Sequence, residues 1–579
     1  MEQAELIAQF NEKYRDKFNP YFFERNEDAI IDQIMKVIKS SERDKTYTIK
    51  VKHWEVVKDY ATIYEYLRKY EESSPNKKRR KDNKYDFINM KDTDISLLIV
   101  DYYLKIKDEE DTVRVFIMVP KIVNKYYMRI NGNLYSTIYQ LVDASTYNNR
   151  TSNSTKKNPV VTFKSTFMPL TLSAKKDTLT TIDGEVLDIT NYNATIFKKT
   201  VPAFKYFLAS KGLTGTMHFF GISGIYLLDR VPTEYDHDKY YIFNSKKLFI
   251  VVPKVLMGND VIQSFVAVLL RSFAKSANLS NIYTNEFWLE SLSKEFIQNA
   301  FVDKGFSVLD SFEHVYDMST KESLHLPNED KEDTYCILRW MMTNFTKLYN
   351  KDNLDVTIKR IRFEEYIAAL YAHKLSPSIY RISDLGQKAD LKALKRAVNI
   401  RPSYLLKAIT KCKFINYRNM VNDLDSIIAI KFTYKGISGI GEKTNQVSQI
   451  YRNVDISHIG RIDPDTSSNS DPGLTGSLCP LSKIYDNSFE EYEEPNEWNN
   501  TVKVLYEEMR KQTGLKEVAV AAKELLSKET DENKMSELND NVSMAKRLIS
   551  PVIAIEHPSN LMFSCIDLFG DDTFYVDWY

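Results

Sequence analysis

The 579-residue sequence is 43% apolar and 12% aromatic with only 17 Gly and 17 Pro, which excludes a largely disordered chain and exceeds what one hydrophobic core serves. Two to four domains are expected. With 79 basic and 79 acidic residues the chain is not a free-standing basic nucleic-acid binder, although a local cationic patch stays open.

The opening MEQAELIAQFNEKYRDKF is polar, without a signal-peptide pattern. Next, NEDAIIDQIMKVIKS (26–40) spaces Ile30, Ile31, Ile34, Met35 and Ile38 on one helical face, with Asn26 as cap. The basic run PNKKRRKDNKY (75–85) lacks apolar period and reads as a solvated loop, with a DNA-backbone contact or nuclear signal as other readings. Strand-like runs cover 95–106 and 113–123; KYYMRINGNLYSTIYQLV (125–142) follows, with Asn131-Gly132 as the turn between two β-rich halves. Residues 144–158 read as a polar loop and domain boundary.

From 160 to 350 short strands and helices alternate, with KYYIF and KLFIVVP (239–253) the clearest strands and helical patterns over 258–277 and 284–303. Residues 355–420 read mainly helical and carry many cations, among them Lys388, Lys392, Lys395, Arg396, Arg401, Lys407 and Lys411. A Gly-punctuated region follows 420, and residues 498–528 show a long charged helix pattern. The longest apolar runs are interrupted by Lys and too short to span a bilayer. An α+β, multidomain, intracellular protein without membrane partners is expected. Cys336, Cys412, Cys479 and Cys565 form no CxxC pair, so neither a zinc knuckle nor a redox motif is indicated.

Complete catalytic motifs are lacking. Asp463, Asp465, Ser467, Asn469 and Asp471 alternate like the start of an EF-hand loop. However, Ser468 stands where that loop needs Gly, Leu474 stands where its closing Glu belongs, and VDISHIG is not helix-like. GISGIY (221–226) and GISGIG (436–441) read as tight turns rather than phosphate cradles. Tyr235-Asp236-His237-Asp238 reads as a solvated turn, and the acidic terminus FGDDTFYVDWY has no supporting shell.

Three separated stretches resemble the N-terminal half of the β subunit of multisubunit DNA-dependent RNA polymerase. In FIMVPKIVNKYYMRINGNLYSTIYQLVDAS (116–145), Pro120, Ile130, Asn131, Gly132, Gln140 and Leu141 match in order and spacing, whereas Asn133 and Leu134 replace a charged pair. In 452–478, Arg452, Val454, His458, Gly460, Arg461, Pro464, Thr466, Gly473, Leu474, Ser477 and Leu478 match, with one residue fewer after Pro464. There Asp465 replaces a Glu, and Ser467, Ser468 and Asn469 replace the family's Pro-Glu-Gly. Between them, 422–441 matches at Asn422, Leu424, Ile427 and Gly439, with Lys431 standing for an Arg.

The resemblance implies a protrusion-like region at 1–150 joined by 350–415, a lobe-like region at 150–350, a fork-like region at 416–455 and the start of an external-like region at 456–579. Because the family's β chain continues beyond the segment matched, one half of a split β is implied, as in giant-bacteriophage polymerases. Templated nucleotidyl transfer would then use Mg2+ held by a β′-like partner. On this reading Lys431, Lys435, Lys443, Arg452 and Arg461 are candidate contacts for nucleic-acid phosphates, with a structural salt bridge or solvated charge as the other reading of each, and Arg461, like His458 and Asp465, equally a brace within the loop. His458, Gly460, Asp465, Thr466 and Gly473 would frame the cleft loop. The implied partners are a C-terminal β-like chain, β′-like chains, template DNA and nascent RNA, with a promoter-specificity subunit as a further candidate. The implied location is the bacterial host cytoplasm, or else the virion. A structural or virion protein derived from a polymerase subunit, without transcription activity, is the competing reading, and an unrelated α/β nucleic-acid-binding protein with accidental matches is a third.

Overall fold

The computed structural model describes residues 27–489 with interruptions. Residues 1–26, 74–91, 149–157, 419–430, 440–454, 463–473 and 490–579, with shorter stretches beside the elements, lie outside the description. The α+β, multidomain architecture expected from the sequence is observed, organised around three apolar clusters.

The chain enters through helix α1 (Glu27–Ser40), which buries Ile30, Ile31, Ile34, Met35, Val37 and Ile38. β1 (Arg43–Asp44), β2 (Thr48–Val57), β3 (Ile95–Ile106) and β4 (Glu109–Pro120) form an antiparallel sheet in that order. Helix α2 (Tyr60–Ser73) connects β2 to the segment before β3. β3 is buried on both faces over residues 95–100, which explains its unbroken apolar run. Tyr66 and Tyr70 of α2 cover Phe116, with ring centroids 6.0 and 5.6 Å away. β5 (Ile122–Val123), β6 (Tyr127–Ile130) and β7 (Asn133–Thr137) follow, then β8 (Tyr139–Val142). Asn131 (φ 53°) and Gly132 (φ 80°) make the two-residue turn between β6 and β7, where both central residues need positive φ.

The largest cluster draws on residues 161–348. It holds a five-stranded antiparallel sheet of β9 (Thr146–Asn148), β10 (Val160–Lys164), β11 (Pro169–Thr180), β12 (Val186–Ile196) and β13 (Lys199–Pro202). β9 lies inside the stretch read from composition as a loop: its polar side chains hide a backbone that pairs with β10. Helix α3 (Phe204–Phe219) leads to β14 (Tyr226–Leu228), β15 (Tyr240–Ser245) and β16 (Leu248–Pro253), a three-stranded sheet. The 221–226 stretch is a turn, with Gly221 and Gly224 at positive φ. Helices α4 (Asp260–Ser276), α5 (Leu279–Ile282), α6 (Asn285–Phe296), α7 (Val302–Glu313), α8 (Met318–Glu322), α9 (Thr334–Thr343) and α10 (Phe345–Asn350) complete this part. The single helix expected over 284–303 is thus two helices, α6 ending at Phe296 and α7 starting at Val302.

Then come β17 (Arg360–Arg362), α11 (Glu364–Leu385), α12 (Leu391–Val398), α13 (Tyr404–Lys411), β18 (Ile415–Arg418), β19 (Lys431–Thr433), β20 (Thr475–Ser477), β21 (Ile484–Tyr485) and β22 (Ser488–Phe489). Helices α11–α13 return to the first sheet: their buried residues share one cluster with those of α1, β3 and β4. The 355–420 region is therefore helical in the middle and strand at both ends.

A buried polar seam joins the two large clusters. Ser383 Oγ donates to Asp310 (3.0 Å) and meets Tyr47 OH at 2.7 Å, while Arg43 Nε lies 3.6 Å from the same carboxylate. His314 Nδ1 lies 2.7 Å from the Asp310 carbonyl. No helix among the described residues is long and apolar enough to cross a membrane.

Candidate functional site

The three stretches that carry the resemblance, far apart in sequence, meet in one six-stranded sheet of order β20-β19-β8-β17-β22-β21. β8, from the first stretch, pairs in parallel with β19, from the middle one, through Phe432↔Tyr139 and Thr433↔Gln140. β19 pairs antiparallel with β20, from the last, through Lys431↔Ser477, Phe432↔Gly476 and Thr433↔Thr475. A bridge between Ile462 and Leu478 and the bond from Tyr434 N–H to Leu474 C=O (3.0 Å) extend the contact. Behind the sheet Tyr139, Leu141, Val356, Ile361, Phe432, Tyr434, Ile462 and Leu478 form the third apolar cluster.

Two matched residues explain each other. Gln140 Nε2 donates to the Lys435 carbonyl (3.0 Å), in the turn that follows β19. Gly439 closes that turn by donating its N–H to Gly436 C=O at 2.9 Å. A Cβ at Gly439 would stand 2.4 Å from Tyr434 O and 3.0 Å from Gln140 Nε2, so no larger residue fits without displacement. Gly436 itself has φ 109°.

The segment around His458 is a brace. Ile456–His458 form a single 3₁₀ turn, with no α-helix among the described residues of this stretch, and Asp455 collects the turn's free donors. Its carboxylate accepts from Ser457 N–H (2.9 Å) and Ser457 Oγ (2.7 Å), bonds that hold it below the usual carboxylate range. Ser457 Oγ in turn accepts from Val356 N–H at 2.9 Å. His458 Nε2 lies 3.2 Å from Leu354 C=O and so donates to it; burial pushes its imidazole below the ordinary value. Arg461 Nη1 donates to Ser457 C=O at 2.9 Å.

Of the cations singled out in the sequence, Lys431 is half-buried on β19 beside Ser477. Lys435 is 5% and Arg461 7% exposed, so both are turned into the protein. Lys443, Arg452, Gly460, Asp465, Thr466 and Gly473 lie outside the described residues, as do the alternating acids 463–471. No group of three His, Cys, Asp or Glu among the described residues could hold a metal ion.

Sequence reasoning missed the cations of β17. Arg360 Nη2 lies 2.5 Å from Glu365 Oε2 and also reaches Ser319 C=O (2.9 Å), while Arg362 Nε lies 3.5 Å from the same carboxylate oxygen. Burial and then Arg360 push the Arg362 guanidinium down to about 10. Lys359, 3% exposed, sits 5.1 Å from the centre of the Tyr434 ring. A Lys-Arg-Ile-Arg run reads as solvated surface; only Glu365, three residues on, hints at burial.

No curated protein matches the chain. A family model described as non-virion RNA polymerase subunit matches residues 2–496, which include all three converging stretches and every described element. The chain belongs to this family of non-virion RNA polymerase subunits.

Proposed function

We propose that the chain is the N-terminal, β-like part of a polymerase whose β subunit is divided between chains, and that its six-stranded sheet backs a wall of the nucleic-acid cleft. The observation that carries this reading is the convergence of β8, β19 and β20. Accidental matches would have no reason to be neighbours in space, and this convergence supports a common origin for the three. Of the proposed division, the protrusion-like (1–150 with 350–415) and lobe-like (150–350) parts draw support from two apolar clusters, whereas the fork-like (416–455) and external-like (456–579) parts rest on the resemblance alone. One joins residues 30–130 to 366–415, and another is confined to 161–348.

Within that wall the residues divide by burial. Lys431 is available to a phosphate, and Lys443 and Arg452 are assigned the same role from the resemblance. Lys435 and Arg461, buried as they are, hold the turn after β19 and the Ile456–His458 turn in place, together with His458. Phosphate contacts of this kind position a duplex or hybrid without reading its sequence. Magnesium, on a β′-like partner, would supply the chemistry of nucleotidyl transfer; this chain contributes charge and a rigid frame. The partners are a C-terminal β-like chain, β′-like chains, template DNA and nascent RNA. A promoter-specificity subunit is a further one. The family's description as non-virion favours action in the host cytoplasm over packaging.

The competing reading is a scaffold derived from a polymerase subunit, favoured by the drift of Ser467, Ser468 and Asn469. Affinity purification of the tagged full chain from its source, followed by templated RNA synthesis with magnesium, separates the two. Recovery of large partner chains with salt-sensitive transcript synthesis supports the polymerase role. A partnerless chain, or a complex that makes no transcript, overturns it.

A further inference from the structure

We propose that the face formed by α12 and α13 binds the phosphate backbone of double-stranded DNA without regard to sequence. The inference deepens the polymerase reading, on which it rests for the identity of the nucleic acid, but it concerns a surface separate from the converging stretches. Residues 391–411 contain Lys392, Lys395, Arg396, Arg401, Lys407 and Lys411 and no Asp or Glu, in a chain of zero formal net charge. The remainder of the chain is therefore net acidic, and this segment is one of two strongly positive stretches, the other being the basic run 75–85, which lies outside the described residues.

The two helices fix the side on which the charge lies. Leu394, Ala397 and Val398 of α12 and Leu405, Leu406 and Ile409 of α13 are buried. Lys392, Arg396, Arg401 and Lys411 are exposed, and Lys395 and Lys407 half-buried. Asp390, the acid just before the segment, accepts from Ala393 N–H as the N-cap of α12. Asp111 at the start of β4 pairs with Lys395, and Arg401 and Lys407 make further contacts. Among the described residues, Lys392, Arg396 and Lys411 have no acidic partner.

Helix electrostatics accounts for part of this pattern only. Cations in a last turn, such as Arg396 and Lys411, are favoured by the helix dipole. Lys392 stands in the first turn of α12, where that dipole opposes positive charge. Lys392 with Arg396, and Lys407 with Lys411, are like-charged pairs one turn apart, which weaken an isolated helix. An external polyanion relieves both repulsions. Single-strand binders add exposed aromatics for base stacking. Here the one aromatic in the segment, Tyr404, is half-buried against the apolar cluster, so a duplex read through its phosphates fits better.

The test is anisotropy of two unrelated labelled DNA duplexes with the full chain across a salt series, for the wild type and K392Q/R396Q/K411Q. These side chains are exposed, and unchanged thermal unfolding would establish that the variant is folded. The expected result is a slope of log affinity against log salt shallower by about 2–3, at roughly 0.9 per lost phosphate contact, equally for both duplexes. An unchanged slope, a loss confined to one duplex, or a wild-type chain that binds neither would overturn the proposal. So would unchanged DNA binding accompanied by loss of partner chains from the purified complex, which would assign the face to a protein. A chain that shows the predicted slope yet never joins a transcribing complex keeps this inference and sinks the polymerase reading. A transcribing complex with an unchanged slope does the reverse.

Discussion

Gly439 shows how a single atom governs the turn behind β19. A side-chain carbon there would press on the Tyr434 carbonyl at 2.4 Å, a backbone atom that cannot retreat without dragging the strand. Gly439→Ala is expected to destabilise the chain by about 1–3 kcal/mol in denaturant unfolding; an unchanged midpoint would mean that the turn yields freely. His314 makes a different demand. Burial, then Arg43, pushes its imidazole down to about 4, while the unfolded chain titrates near ~6.5. Between those values the unfolded state binds more protons, so stability falls as pH drops through that window. The His314 share of the loss between pH 7 and 4.5 is about 2–3 kcal/mol. In His314→Gln that share should vanish from the stability–pH curve, leaving the carboxylate contribution. A variant curve parallel to the wild type would show that the seam does not hold the ring neutral.

At the scale of elements, the 3₁₀ turn Ile456–His458 is expected to act as one clasp with residues 354–356. Val356 is fully buried and its N–H has Ser457 Oγ as acceptor at 2.9 Å. Ser457→Ala leaves that donor unsatisfied, at about 1–3 kcal/mol. Amide exchange should accelerate together in peptides covering 354–359 and 455–462, and acceleration in only one of them would refute the clasp. Elements whose signal is local were legible in the sequence. The Ile spacing of α1, the run of β3 and the Asn131-Gly132 turn are set by neighbours a few residues away. β17 was not legible, since Arg360 and Arg362 are buried only because Glu365 and the Ser319 carbonyl receive them. β9 was hidden for the same reason: what makes it a strand is its partner β10. The long helical pattern over 498–528 lies outside the described residues.

At the scale of the molecule, β8 and β19 are parallel neighbours although residues 143–430 separate them. Apolar period and turn chemistry carry no information over such a span, and a parallel pair requires a long crossover. What the sequence held instead was resemblance at Gln140, Gly439 and Leu474, whose joint meaning appears only when the strands assemble. Of the site, the meeting of the three stretches was legible only through resemblance, and the sides on which the cations lie were not legible: Lys435 and Arg461 are turned inward and Lys431 is half-buried, while Gly460, Asp465, Thr466 and Gly473 lie outside the described residues. The central claim is that this sheet backs the nucleic-acid cleft. Its most direct test places a photo-crosslinking residue at position 431 of the tagged chain, in a purified complex stalled on template with labelled RNA. Cross-links to template or RNA that disappear when the transcript is released are predicted. A complex that transcribes while position 431 cross-links only to protein would contradict the account.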